Sequence, residues 1–180
     1  MDKITVALIY GSTREGRFCD KVASWAASRI SAGQEFTLDV IDPKISEAAD
    51  LKSRIGKADA FIIVTPEYNH SYPAALKHLI DSVNEEWRAK PVSFVSYGGV
   101  SGGLRAVEHL RGVFAELHAV TIRDSVSFSN VWSQFGADGK LLEPAVADQC
   151  MEVLLRHLSW WAAALRDARR TTPYGQAAAA

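Results

Sequence analysis

Ile4-Thr5-Val6-Ala7-Leu8-Ile9-Tyr10, running straight into Gly11-Ser12-Thr13-Arg14-Glu15-Gly16-Arg17, decides how this 180-residue chain is read. The first seven residues are an almost unbroken apolar run rich in β-branched side chains, the pattern of a strand covered on both faces. The next seven carry two glycines and break that run. From about Phe18 to Ile30 the period changes, with Val22, Trp25, Ala26 and Ile30 recurring on one helical face. Gly33 marks the helix exit. A buried strand, a glycine-bearing loop and an amphipathic helix, in that order, open a parallel α/β sheet.

The alternation repeats downstream. Phe36 to Ile41 reads as a second strand, ended by Asp42-Pro43, and about Ser46 to Lys57 as a short helix with Ser46 as N-cap. Ala60 to Thr65 is the third and most hydrophobic strand. After the loop Pro66 to Tyr72, Pro73 sits in the first turn of a helix that continues through Leu76, Leu79, Ile80 and Val83. Pro91 to Tyr97 is the fourth strand and Leu104 to about Leu117 the next helix. Val120 to Phe128 is the fifth strand, and 129–143 is loop-rich. A long helix from Pro144 places Val146, Cys150, Val153, Leu154, Leu158, Trp161 and Leu165 on its buried side. Five strands alternating with helices imply one parallel sheet with right-handed crossovers, in a single domain over residues 1–170. Residues 171–180 lack an amphipathic pattern and are expected to fray.

Composition narrows the function. Apolar residues make up 48% and charged residues 23%, with a formal net charge of −1, so nothing points to nucleic acid. No apolar run reaches the ~18–20 residues that would insert in a membrane. The N-terminus lacks a signal peptide's apolar stretch, which makes a cytoplasmic setting the expectation. Cys19 and Cys150 form no CxxC pair and the five histidines no HExxH, so no protein-bound metal is expected.

In open α/β sheets ligands bind outside the carboxyl ends of the strands, where strand order reverses. Three loops there carry chemistry. In the first, Ser12 and Thr13 offer hydroxyls, Arg14 and Arg17 offer charge, and N–H groups at the helix start favour an anion. It is neither a Walker loop nor GxGxxG, so one phosphomonoester fits better than a pyrophosphate. A plain helix N-cap with two solvated arginines is the other reading.

The second loop, Pro66-Glu67-Tyr68-Asn69-His70-Ser71-Tyr72-Pro73, combines an aromatic ring, an amide and backbone donors suited to a planar heteroaromatic ligand. It reads equally as a βα turn capped by Asn69 or Ser71; Glu67 has the chemistry of a general base, but with no partner in view to raise its pKa its side chain reads as a salt-bridge or surface group. The third, Ser96-Tyr97-Gly98-Gly99-Val100-Ser101-Gly102-Gly103, lets backbone approach a ligand closely or is a flexible turn. Arg105 follows as a surface residue or a contact for a nicotinamide phosphate. A mononucleotide with a flat, polar-edged head group satisfies all three loops, and FMN is the natural candidate.

GSTREGR at 11–17, TPEYNHSYPAALKHLID at 65–81 and KPVSFVSYGGVSGGLRAVEHLR at 90–111 resemble the NAD(P)H-dependent FMN reductases, which include azo-dye, quinone and chromate reductases. The resemblance runs to about residue 165. It implies a flavodoxin-like three-layer α/β sandwich with a five-stranded parallel sheet in the order 2-1-3-4-5 and helices on both faces. It further implies FMN as cofactor and NADPH or NADH as co-substrate.

By the same resemblance Ser12, Arg14 and Arg17 hold the phosphate. Pro66, Glu67, Tyr68 and Asn69 line the isoalloxazine, and Ser96, Tyr97, Gly98 and Gly99 meet its other side. Many members have a serine and then a small or amide residue where this chain has Arg17-Phe18-Cys19. A charge therefore replaces a hydroxyl, and Phe18 is placed to shield the ribityl chain.

The implied chemistry carries hydride from nicotinamide to the flavin and then electrons to a small-molecule acceptor, with no catalytic triad required. A homodimer or homotetramer is implied too. Trp160 and Trp161 are adjacent and cannot share one core stripe, so one of them is free to cover a partner or a loop. Two other readings stay open: an FMN-binding electron carrier without its own NAD(P)H activity, and a non-enzymatic descendant.

Overall fold

β1 (Ile4–Tyr10), β2 (Phe36–Ile41), β3 (Ala60–Pro66), β4 (Pro91–Tyr97) and β5 (Val120–Phe128) form one parallel sheet in the order β2-β1-β3-β4-β5. The computed structural model describes residues 2–45 and 48–177. Helices α1 (Cys19–Ala32) and α5 (Pro144–Thr171) cover one face. Helices α2 (Ala48–Lys57), α3 (Ala74–Asp81) and α4 (Leu104–Glu116) cover the other. The order agrees with the one the sequence resemblance implies. Chain direction reverses its lateral progress between β1 and β3, which opens a crevice at the carboxyl edge.

The strands alternate sides as a period of two requires. Leu8, Ile62, Val95 and Val126 face α1 and α5, where they meet Val22, Ala26, Leu154 and Leu158. Ile9, Ile63 and Phe94 face the other layer, against Leu76, Ile80, Leu110 and Phe114. Trp87 is fully buried there, edge-on to Phe61 at 4.7 Å and Phe114 at 5.3 Å. Each such side chain contributes about 1.5–3 kcal/mol on burial. Every residue of β3 and β4 is buried, so the sheet centre is rigid where the strands end. Register aligns those ends, with Tyr10 beside Val64, Pro66 beside Tyr97 and Tyr97 beside Phe128.

Three details differ from the sequence reading. Pro73 takes the N-cap position of α3, one residue ahead of its first turn. On α5 the buried stripe is Met151, Leu154, Leu155, Leu158 and Ala162. Val146, Cys150 and Trp161 lie off that stripe and are exposed, because the sequence pattern was phased partly on the neighbouring helical face. Trp160 is exposed as well and stands edge-on to Trp161 at 5.1 Å. Residues 174–177 form a last helical turn, α6 (Tyr174–Ala177), in which Tyr174 Oη meets His118 Nδ1 at 3.0 Å. Ser46, the expected N-cap of α2, lies outside the described residues. Among the described residues no helix is long and apolar enough to cross a membrane.

Candidate functional site

The first loop leaves β1 by pressing against β3. Gly11 N donates to Val64 O at 2.7 Å, and a Cβ at Gly11 would lie 2.8 Å from that oxygen and 3.0 Å from Thr65 Cα. Only glycine allows that approach. Ser12 is buried; its Oγ shares a 2.9 Å hydrogen bond with Tyr68 Oη and accepts from Arg14 N at 3.4 Å. The N–H groups of Thr13, Glu15, Gly16 and Phe18 meet no acceptor among the described residues, and Phe18, the N-cap of α1, provides no side-chain cap. Bare donors and the positive end of a helix dipole together favour an anion.

The two arginines of this loop have different surroundings. Arg14 is exposed, its guanidinium 3.6 Å from the centre of the Tyr68 ring. The Arg17 side chain is only 7% exposed. It donates to Ser12 O at 2.6 Å, to Asp20 at 2.8 Å and to both carboxylate oxygens of Asp42 at the end of β2. Burial works to raise the Asp42 pKa, but the hydrogen bonds from Arg17 and Lys44 N outweigh it and hold the carboxyl below its ordinary range. Phe18 turns inward, edge-on to Phe135 at 5.6 Å and 6.3 Å from the Tyr97 ring.

In the second loop, Tyr68 and Ser71 exchange backbone hydrogen bonds of 2.8 and 3.0 Å around Asn69 (φ 50°) and His70 (φ 66°). Two successive positive φ values make this a type I′ turn, which asparagine tolerates best. Pro66 is buried, and Asn69 and His70 point to solvent. Ser71 Oγ pairs with His109 Nδ1 at 3.0 Å.

The third loop is fastened on all sides. Gly98 N donates to Phe128 O at 3.1 Å, while Gly98 O and Gly99 O accept from Val131 N and Asn130 N at 3.1 and 2.8 Å. The Ser96 and Ser127 hydroxyls both donate to Gly102 O at 2.8 Å. Glu67 N reaches across to Tyr97 O at 3.0 Å. The Glu67 side chain, 6% exposed, accepts from Ser101 Oγ at 2.7 Å, Arg105 N at 3.3 Å and the Arg105 guanidinium. Burial pushes the Glu67 pKa up, yet the bonds from Arg105 and Ser101 prevail and keep it low, so Glu67 is an anion rather than a general base.

Tyr97 points into the core under α1, 4% exposed, and its hydroxyl meets no hydrogen-bond partner among the described residues. Burial, reinforced by the adjacent Cys19 thiol, raises its pKa. Burial likewise pushes the Cys19 thiol up to about 11, which makes it an inert packing group.

The structure thus brings Ser12, Arg14, Pro66, Glu67, Tyr68, Asn69, Gly98 and Gly99 to one sheet edge. It turns the side chains of Arg17, Phe18, Ser96 and Tyr97 away from that edge, toward Asp42, the core and Gly102. Sequence reasoning left unassigned Asp42, whose strand-ending position was its only signal, and the Ser101–Arg105 partnership of Glu67. A cavity of about 540 Å³ between α1, the start of β2 and α5, lined by Arg29, Phe36 and Met151 among others, contains none of these loop residues.

The match to known proteins falls on the same part of the chain. Residues 4–133 fit the family described as NADPH-dependent FMN reductase. An NAD(P)H-dependent FMN reductase of Schizosaccharomyces pombe is 34% identical over 124 residues, 56% of this chain and 62% of that protein. A 2-hydroxy-1,4-benzoquinone reductase of a Burkholderia species is 29% identical over 188 residues, 92% of this chain and 98% of that protein.

Among solved structures, FerB, a flavoenzyme NAD(P)H:(acceptor) oxidoreductase of Paracoccus denitrificans, superposes with a TM-score of 0.73 at 22% identity, covering 88% of this chain and 97% of its own. The fold is flavodoxin-like. With the strand order, the three loops at one edge and a family match over well over half its length, the chain belongs to the NADPH-dependent FMN reductase family.

Proposed function

We propose that this chain binds FMN at the carboxyl edge of the sheet and acts as an NAD(P)H-dependent oxidoreductase. The observation that carries the reading is the row of bare N–H groups at Thr13, Glu15, Gly16 and Phe18, beside the exposed Arg14. A phosphomonoester supplies the acceptors those donors lack. Tyr68, Asn69 and the Gly98–Gly99 backbone form the wall for a flat ring. The residues fit the group, and FMN when bound supplies both the hydride acceptor and the donor to the next substrate.

The protein's share is binding and orientation. Ser12 and Arg14 hold the phosphate end, and Arg17 braces the loop through Ser12 O and Asp42. Phe18 and Tyr97 support the site from beneath. The acceptor is a small molecule such as a flavin, quinone, azo or nitro compound; the full-length likeness to a benzoquinone reductase supports the quinone class. The reading includes a cytoplasmic homodimer or homotetramer, for which the exposed Trp160 and Trp161 offer contact surface.

Calorimetric titration with FMN and with riboflavin tests the site. FMN is expected to bind about 100-fold more tightly, roughly 2.7 kcal/mol for the phosphate. Equal affinity for the two, or none for either, contradicts it.

A further inference from the structure

Between the end of β4 and the start of α4, residues Gly98, Gly99 and Val100 bow outward, with Val100 89% exposed. The N–H groups of Gly99 and Val100 meet no acceptor among the described residues. Backbone bonds to residues 128–131 tie Gly98 and Gly99 on one side, and one residue of another loop holds both flanks of the bow. Glu67 N fixes Tyr97 O at the near end. The Glu67 carboxylate fixes Ser101 Oγ, Arg105 N and the Arg105 guanidinium at the far end. Ser101 O and Oγ in turn accept from Leu104 N and Gly103 N. A Cβ at Gly98 would stand 3.6 Å from Glu67 Cβ, so the two loops are in contact along the bow as well.

The helix α4 explains why a carboxylate is needed there. Its own N-cap is Gly103, at φ 86°, which has no side chain to satisfy the first-turn donors. Capping by an oxygen acceptor and a negative charge at a helix N-terminus are both stabilising. Here the cap comes from the end of β3. Arg105 is 48% exposed while Glu67 is 6% exposed, so the buried carboxylate is the anchor and the arginine its outer closure.

We propose that Glu67 is a positioning residue that sets the Gly98–Val100 bow and holds the Gly99 and Val100 N–H groups ready for the carbonyl oxygens at the polar rim of the flavin ring. The assignment rests on the FMN reading and goes past it, because it gives the glutamate a role that is neither acid–base nor direct ligation. Its effect belongs to the ring and not to the phosphate.

The test compares the native chain with E67Q, R105A and R105K. Hydrogen exchange of the flavin-free proteins is followed by mass spectrometry, and FMN and riboflavin affinities by calorimetry. In E67Q the segment 98–105 is expected to exchange about tenfold faster at its hydrogen-bonded amides, those of Gly98 and residues 102–105, with the rest of the sheet unchanged. FMN and riboflavin are expected to lose the same factor of about tenfold in affinity. R105A gives a smaller loss of the same kind, and R105K falls between R105A and native.

Unchanged exchange at 98–105, a uniform rise across the chain, or a loss confined to FMN overturns the proposal. If E67Q does not fold, R105A and R105K carry the comparison alone. A native chain that binds neither flavin contradicts the cofactor reading and removes the latch's purpose. Native binding with unaffected variants overturns the latch alone.

Discussion

The two ends of the candidate site are built in opposite ways. At the first loop the backbone donors are bare and the side chains around them are braced, Arg17 by Asp42 and Ser12 by Tyr68. At the ring end most polar groups of the 96–105 segment already have protein partners, and among the described residues the N–H groups of Gly99, Val100 and Ser101 meet no acceptor. A dianionic phosphate brings many strong acceptors, so a site for it can leave donors open to water until it arrives. A planar ring brings few polar atoms and much apolar area, so its walls must be preorganised by the protein. The difference predicts that substitutions at the ring end act first on stability and those at the phosphate end first on affinity.

The largest effect tests the preorganised end. Gly103 has φ +86°, and a Cβ there would lie 2.8 Å from both Ser96 Cβ and Tyr97 N. Gly103→Ala is expected to cost about 3 kcal/mol through backbone strain and overpacking, seen as a lower urea midpoint. A loss below about 0.5 kcal/mol would show that the ring loop is not held as tightly as its contacts imply.

Arg17 blurs the division and so sharpens it. It sits in the phosphate loop but is built like the ring end, and Arg17→Ala is expected to cost about 2 kcal/mol by leaving Asp42 without its cation. The pH dependence follows from the depressed Asp42 pKa. Its stabilisation is fully present above the unfolded carboxylate value of about 3.9 and disappears as pH falls through the lower folded value. The native chain should therefore lose more stability than Arg17→Ala on acidification below about pH 4, which unfolding at stepped pH will show.

These two arginines also show where sequence reading stops. The sheet, its edge and the three loops were legible because buried strands read as apolar runs, and the runs leading into the three loops ended at Gly11, Pro66 and Gly98. Arg14 and Arg17, three residues apart, read alike, since the partner that separates them is Asp42 on a different strand. Tyr97 was read with its loop, whereas its place in the two-residue alternation of β4 puts it with Val95 on the α1 and α5 face. Glu67 was read as a salt-bridge or surface side chain, because its partners, Ser101 and Arg105, lie 34 and 38 residues on and meet it only once β3 and β4 pair.

Arg14 carries the opposite expectation to Arg17. Arg14→Ala should change stability by less than about 0.5 kcal/mol. It should weaken FMN about tenfold while leaving riboflavin unaffected, and the residual FMN affinity should depend less on salt. Tyr68→Phe is the smallest change. It removes the bond to Ser12 Oγ but keeps the ring beneath Arg14, for a loss of about 1 kcal/mol shared between stability and FMN binding.

The central claim is that this sheet edge makes FMN reducible by a nicotinamide. The most direct test is an anaerobic titration of the FMN-loaded chain with NADPH and, separately, with NADH, followed by the yellow absorbance of the oxidised flavin. Stoichiometric bleaching by at least one nicotinamide, restored on adding a quinone, is the predicted result. A flavin that stays bound and yellow with both would contradict the account.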